Sequence, residues 1–239
     1  MGQKSRRKRE RRNQPAVTVA EPEWRTGRLG LMMLVAVLLA AICLVVVLRT
    51  SAKNRVLTMQ QLRTVEYRVN QVILTGRGDS IPEIASLMQF LKSKHDRGEV
   101  SVRVAAQETG DIASAGPGPN GKPEVVFSGP IIWQIMEDMP ENFADDVILE
   151  QACHEVLHLQ MTPEFLYAIM KPSPETHKIG VAGEAKVYAA QAERVIRPMI
   201  AAGRAVSTQS HEVSEAYKAC GDKDDEKWQR WVETYFSVR

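Results

Sequence analysis

The chain has 239 residues, 44% of them hydrophobic and 25% charged, and a net charge of +2. That balance fits one ordinary globular domain plus accessories and excludes a polar, disordered chain. The charge is unevenly placed: residues 1–50 carry +7 and residues 51–239 carry −5, so the basic character belongs to the N-terminal arm alone.

The arm, residues 1–28, holds Lys4, Arg6, Arg7, Lys8, Arg9, Arg11, Arg12, Arg25 and Arg28. Such a cluster attracts anionic lipid headgroups. No aromatic residues are interleaved with the charges for base stacking, which argues against nucleic acid as a partner. Arg6 stands where a myristoylation signal needs Ser or Thr, so lipidation is not supported.

Leu29 to Leu48 is an uncharged, proline-free run of 20 residues, long enough at ~1.5 Å per residue to span a ~30 Å hydrocarbon layer. It is too long for a signal-peptide core, so residues 29–48 are expected to form a single retained transmembrane helix in the lipid bilayer. The preceding basic residues keep the N-terminus cytoplasmic. The remainder is then extracytoplasmic, and periplasmic if the membrane is a bacterial inner membrane.

Residues 49–80 are expected to be a membrane-proximal helix and linker, since Val56, Met59, Leu62, Val65, Val69, Val72 and Ile73 follow helical spacing. Residues 81–239 form the main domain. Pro82 suits the first turn of a helix reaching Lys94, with His95 on the surface. Val100, Val102 and Val104 alternate as in a strand over 99–106. Residues 115–123 are turn formers and predict a mobile loop. A second strand, 124–128, would pair antiparallel with the first across that loop.

A helix from about Phe143 to Gln160 follows, with Asn142, Asp145 or Asp146 as its cap. It carries Cys153-His154-Glu155-Val156-Leu157-His158. Residues i and i+4 share a helix face, so His154 and His158 can address one ion with Glu155 beside them, which is the HExxH zinc pattern. Ile148, Leu149, Ala152, Val156 and Leu159 fall on the other side, giving a core face and a chemical face. Thr162-Pro163-Glu164 restarts a short helix to Met170. Further helices are expected at about 181–197, stopped by Pro198, at 210–219 and at 225–236. The fold class is therefore α+β and mostly helical. Cys43 lies in the apolar run; Cys153 and Cys220 could pair in an oxidising compartment, and the sequence leaves that open.

A catalytic zinc takes three protein ligands. Glu164 would need a glycine at 161, where Met161 stands. His177 lies in a Pro-rich loop and Glu193 is turned away from the helix face in question. Glu184 sits just after Gly183, 26 residues beyond His158, with Tyr188 and Gln191 on its face. The ligand set is thus His154, His158 and Glu184.

With His154-Glu155-Val156-Leu157-His158 and Gly183-Glu184-Ala185-Lys186-Val187-Tyr188-Ala189-Ala190-Gln191, the chain resembles a gluzincin-type zinc metallopeptidase in a small, membrane-anchored, minigluzincin-like form. The resemblance implies a zincin-like domain with a small antiparallel sheet, one Zn²⁺ per chain, and hydrolysis of a peptide or protein substrate by a metal-activated water. Glu155 would be the general base. Tyr188, Tyr217 and His211 are candidate oxyanion donors, Tyr188 sharing the face of Glu184. Several gluzincins carry an aspartate where Tyr188 stands, to orient a histidine; here Glu150, strand backbone or Gln191 would take that part. Residues 124–128 would offer an unpaired edge to an extended peptide. The competing expectation is a non-catalytic single-pass envelope scaffold, or an inactive metallopeptidase-like interaction domain.

Overall fold

In the computed structural model the described residues are 56–239, apart from 119, 162, 171–172, 222–224 and 238–239, and all fall in the unit Ala52–Arg239. The basic arm and the apolar run 29–48 lie outside the described residues. Among the described residues no helix is long and apolar enough to cross a membrane.

Helix α1 (Met59–Gly76) starts at a capping box in which the Thr58 hydroxyl accepts the Gln61 N–H and the Gln61 side chain accepts the Thr58 N–H. Its buried stripe of Val65, Val69, Val72 and Ile73 packs on α2 (Pro82–Asp96), which buries Ile84, Leu87, Met88 and Leu91. Both helices follow the periodicity of their sequences.

The sheet departs from its expectation. Strands β1 (Ser101–Ala105), β2 (Ala113–Pro117) and β3 (Pro123–Ser128) stand in the order β1-β3-β2, with β1 parallel to β3 and β2 antiparallel to it. The sheet is therefore mixed rather than antiparallel, and β3 is its centre rather than an edge. The unforeseen strand is β2, whose Ala-Ser-Ala-Gly-Pro sequence shows no β propensity. It pairs with β3 through a tight turn, Gly118 N–H to the Lys122 carbonyl at 2.8 Å, with Gly121 at φ +71°. The stretch expected as loop is thus half strand, half hairpin turn.

Helix α3 (Gly129–Asp138), also unforeseen, follows β3 directly. A Cβ at Gly129 would stand 2.5 Å from the Ala105 carbonyl oxygen, so only glycine fits where the chain turns against β1. Helix α4 (Glu141–Leu159) carries the histidine motif; α5 (Pro163–Met170) and α6 (His177–Gln191) follow. The helix begins at Glu141 with Pro140 at its N-cap, so the expected caps Asn142, Asp145 and Asp146 lie inside it and no side chain caps it; Asp145 is held instead by Arg68 at 2.6 Å and Asp146 by Arg204 at 2.6 Å.

Beyond α6 the helix does not stop at Pro198. A π turn, Ala192–Ile196, leads into α7 (Arg197–Ala201), and the Arg197 N–H bonds five residues back to Ala192. The widened turn makes room for the proline ring, which in a regular α-helix meets the carbonyl four residues earlier. It also slows the ~40° drift that four α-helical residues bring. Val187, Val195 and Met199 therefore stay in one row facing the core of α1, α2, α4 and the sheet. Val181, Ala185, Tyr188, Ala192 and Ile196 face a second cluster with Val213 and Ala216 of α8 (Thr208–Cys220) and Trp228 and Val232 of α9 (Asp225–Ser237).

Candidate metal centre

Helix α4 is the central helix of the unit, packed by α1 and α2 on one side and by β2 and α6 on the other. Every residue from Val147 to His158 is buried. The core face expected of this helix lies in the main cluster, and its chemical face is covered by other elements rather than by water.

On that face the i, i+4 spacing brings His154 Nε2 within 3.0 Å of His158 Nε2. Glu184, from the second turn of α6, places Oε2 3.6 Å from His158 Nε2, and the donor atoms of all three residues lie within 4.8 Å of one another. Tetrahedral zinc ligands at ~2.0–2.2 Å leave donors ~3.3 Å apart, so the histidine pair has the spacing of two ligands on one ion. The three residues named from sequence therefore converge. Glu164, His177 and Glu193 are exposed and do not join them.

The imidazoles are held from both sides. His154 Nδ1 stands 2.8 Å from Gln191 Oε1, and the Gln191 amide donates to the carboxylate of Glu150, which also accepts from Gln151 at 3.1 Å. Of the three supports considered for the imidazoles, the structure uses Gln191 directly and Glu150 behind it. On the other side Phe165 of α5 stacks on His158, ring centroids 5.6 Å apart at 18°. Phe165 itself lies against Gly183, where a Cβ would be 1.7 Å from its ring.

Glu155 is buried with the backbone N–H of Ala115 directed at its carboxylate. The β2 register explains this contact. Ser128 N–H bonds to Ile112, so alternate residues of β2 turn toward β3, and the N–H and C=O of Ala113 and Ala115 point outward over α4. The sheet edge that faces the site is thus that of β2, not of 124–128.

Burial sets the electrostatics. It holds both histidines neutral, His154 down to about 4 and His158 well below its usual range. Burial and the neighbouring Glu184 push Glu155 up to about 8, while burial and Asp111 push Glu184 up to about 7. Tyr188 lies with its ring 5.0 Å from that of His154; burial and Glu184 raise its hydroxyl, which accepts the Gln209 amide at 2.8 Å. The other two donor candidates are elsewhere: Tyr217 lies beneath Arg197, 4.8 Å from the guanidinium, and His211 is exposed.

Sequence reasoning missed Asp111, Phe165, Gln209 and the Ala115 N–H. Only Phe165 had a legible signal, a large ring two residues into a short helix with a glycine beside Glu184 to receive it. Cys153 is buried in the core cluster, and no disulfide joins it to Cys220.

Comparison of the chain with protein-family models, with curated proteins and with solved structures finds no match. What can be said of activity therefore rests on the residues of this site.

Proposed function

We propose that the chain is a zinc-dependent metallopeptidase of the gluzincin type, anchored by residues 29–48 with its C-terminal domain outside the cytoplasm. The observation that carries this is the convergence of His154, His158 and Glu184 around one point with Glu155 beside them. The donor set fits a divalent cation: two buried neutral nitrogens facing each other at 3.0 Å and a half-buried carboxylate. When bound there, zinc acts as a Lewis acid toward a carbonyl and lowers the pKa of water.

The chain's own residues supply the rest. Glu155 lies beside the donor set without belonging to it, and its high proton affinity suits a group that takes a proton at its carboxylate and returns it to a leaving amine. The Tyr188 hydroxyl, on the same helix as Glu184, is the donor available to an oxygen that gains charge. A peptide in extended form is the substrate class that the outward N–H and C=O groups of β2 can hold.

The test is metal content and hydrolysis of the purified full-length chain. About one zinc per chain is expected, lost in His154→Ala and Glu184→Ala. Glu155→Gln should keep the zinc and lose peptide hydrolysis by about 10²-fold or more. Negligible zinc in all forms would sink the proposal. A second reading, a metal-binding domain without turnover, is favoured by the placement of α5 over His158. Equal zinc and equal absence of hydrolysis in the wild type and Glu155→Gln would select it.

A further inference from the structure

We propose that Gln191 is a positioning residue, held by the buried carboxylate of Glu150, that fixes His154 as the tautomer whose Nε2 lone pair faces His158 and Glu184. The proposal deepens the metal reading of the same site, but its first test needs no metal.

Three constraints follow one from another. Glu150 is fully buried and surrounded by donors: the side-chain amides of Gln151 and Gln191, and Ser207 and Ser210 at the start of α8. Burial raises the proton affinity of Glu150, but the donors that converge on it and the N-terminus of α8 beside it favour the ionised form, which accepts from each of them. The Gln191 amide must therefore turn its NH₂ toward Glu150. Its Oε1 is then the atom 2.8 Å from His154 Nδ1, and an amide oxygen at that distance requires a hydrogen on Nδ1. A neutral imidazole protonated at Nδ1 is bare at Nε2, the atom 3.0 Å from His158 Nε2.

Were the amide reversed, its NH₂ would face Nδ1 and the imidazole hydrogen would move to Nε2, pointing into the donor set and blocking it. Glu150 thus decides, through one amide, whether His154 can serve as a ligand. Gln191 does through its oxygen what a carboxylate does in many histidine metal sites, and the negative charge is set one residue further back. The second anchor of this relay is the N-cap of α8, where the Ser207 hydroxyl also accepts the Ser210 N–H at 3.1 Å. The tautomer of a residue on α4 is therefore tied to the folding of α8 onto it.

The experiment uses the full-length chain labelled with ¹⁵N at histidine, stripped with EDTA, in long-range ¹H–¹⁵N spectra that separate the two neutral tautomers. His154 is expected as the Nδ1–H form alone in the wild type. Gln191→Leu and Glu150→Gln should populate the Nε2–H form and, by competition with a chromophoric chelator, weaken zinc binding about 10–100-fold. His95→Ala, exposed at the end of α2, is the control and should change neither quantity. A wild-type His154 with its hydrogen on Nε2 would overturn the proposal whether or not the variants fold, as would variants that keep both the tautomer and the affinity. A wild type that shows the Nδ1–H form yet binds no zinc would remove the proposed function and leave this inference standing.

Discussion

His154, Glu155 and Glu184 are each held away from the charge state they would have in water, and the two kinds of shift oppose each other with pH. For His154, about 4 when folded and ~6.5 when unfolded, the unfolded chain holds a proton that the native chain refuses. Metal-free protein therefore loses stability as pH falls from ~6.5 toward 4. Glu155 at about 8 and Glu184 at about 7 lie above the ~4.3 of an unfolded glutamate, so the native chain keeps protons that the unfolded chain has released. That costs stability as pH rises from ~4.3 through 7 to 8. Between ~4.3 and ~6.5 the two effects oppose each other, and above ~6.5 only the glutamate effect remains, so in EDTA the melting temperature should fall as pH rises from about 6.5 to 8. With zinc the alkaline fall should shrink, because a cation favours the ionised Glu184. A flat profile in EDTA would remove the electrostatic account of the site.

At the level of elements, α6 meets α5 through a ring laid on a bare glycine. Gly183→Ala puts a methyl 1.7 Å from Phe165, so the α5 ring must leave its stack on His158. The expected cost is about 1–3 kcal/mol, read from the midpoint of denaturant unfolding. Gly180, one turn earlier in the same helix, has nothing within 4 Å of a Cβ. There, Gly180→Ala should stabilise by about 0.5–1 kcal/mol, the ordinary helix-propensity gain. Equal effects at the two positions would mean that Phe165 does not rest on Gly183. Much of this level was legible. Periodicity announced α1 and α4, Pro82 marked the first turn of α2, and the glutamate face of α6 followed from its spacing. Strand β2 was not legible, because a sequence of Ala, Ser, Gly and Pro becomes a strand only by pairing with β3. The parallel pairing of β1 with β3 could not be seen without it.

Across the whole unit, the site residues come from α4 and α6, and the start of α4 is pinned by residues far from it in sequence. Arg204, between α7 and α8, bonds Asp79 after α1 at 2.6 Å and Asp146 on α4 at 2.6 Å, while the Ala205 N–H reaches Asp146 at 3.0 Å. Arg204→Ala leaves two largely covered carboxylates facing each other without a cation. About 1–3 kcal/mol should be lost, below the cost of breaking a fully buried pair because these groups retain some exposure. Loss of less than about 0.5 kcal/mol, the range of ordinary surface substitutions, would show the cluster to be incidental. The sequence offered no sign of this link, since an arginine 58 residues from its aspartate carries no periodic signal.

The π turn bears on which length changes the chain tolerates. A five-residue wide turn holds one residue more than the α-helical path needs, so deleting exposed Glu193 could close it while leaving the faces of α6 and α7 in phase. Pro198 opposes that closure, because its ring would then meet the carbonyl of the residue four places back, at a cost of ~3 kcal/mol. The proline that would ordinarily end a helix instead keeps this one from shortening, and a shortened chain should be accepted only where Pro198 is replaced as well.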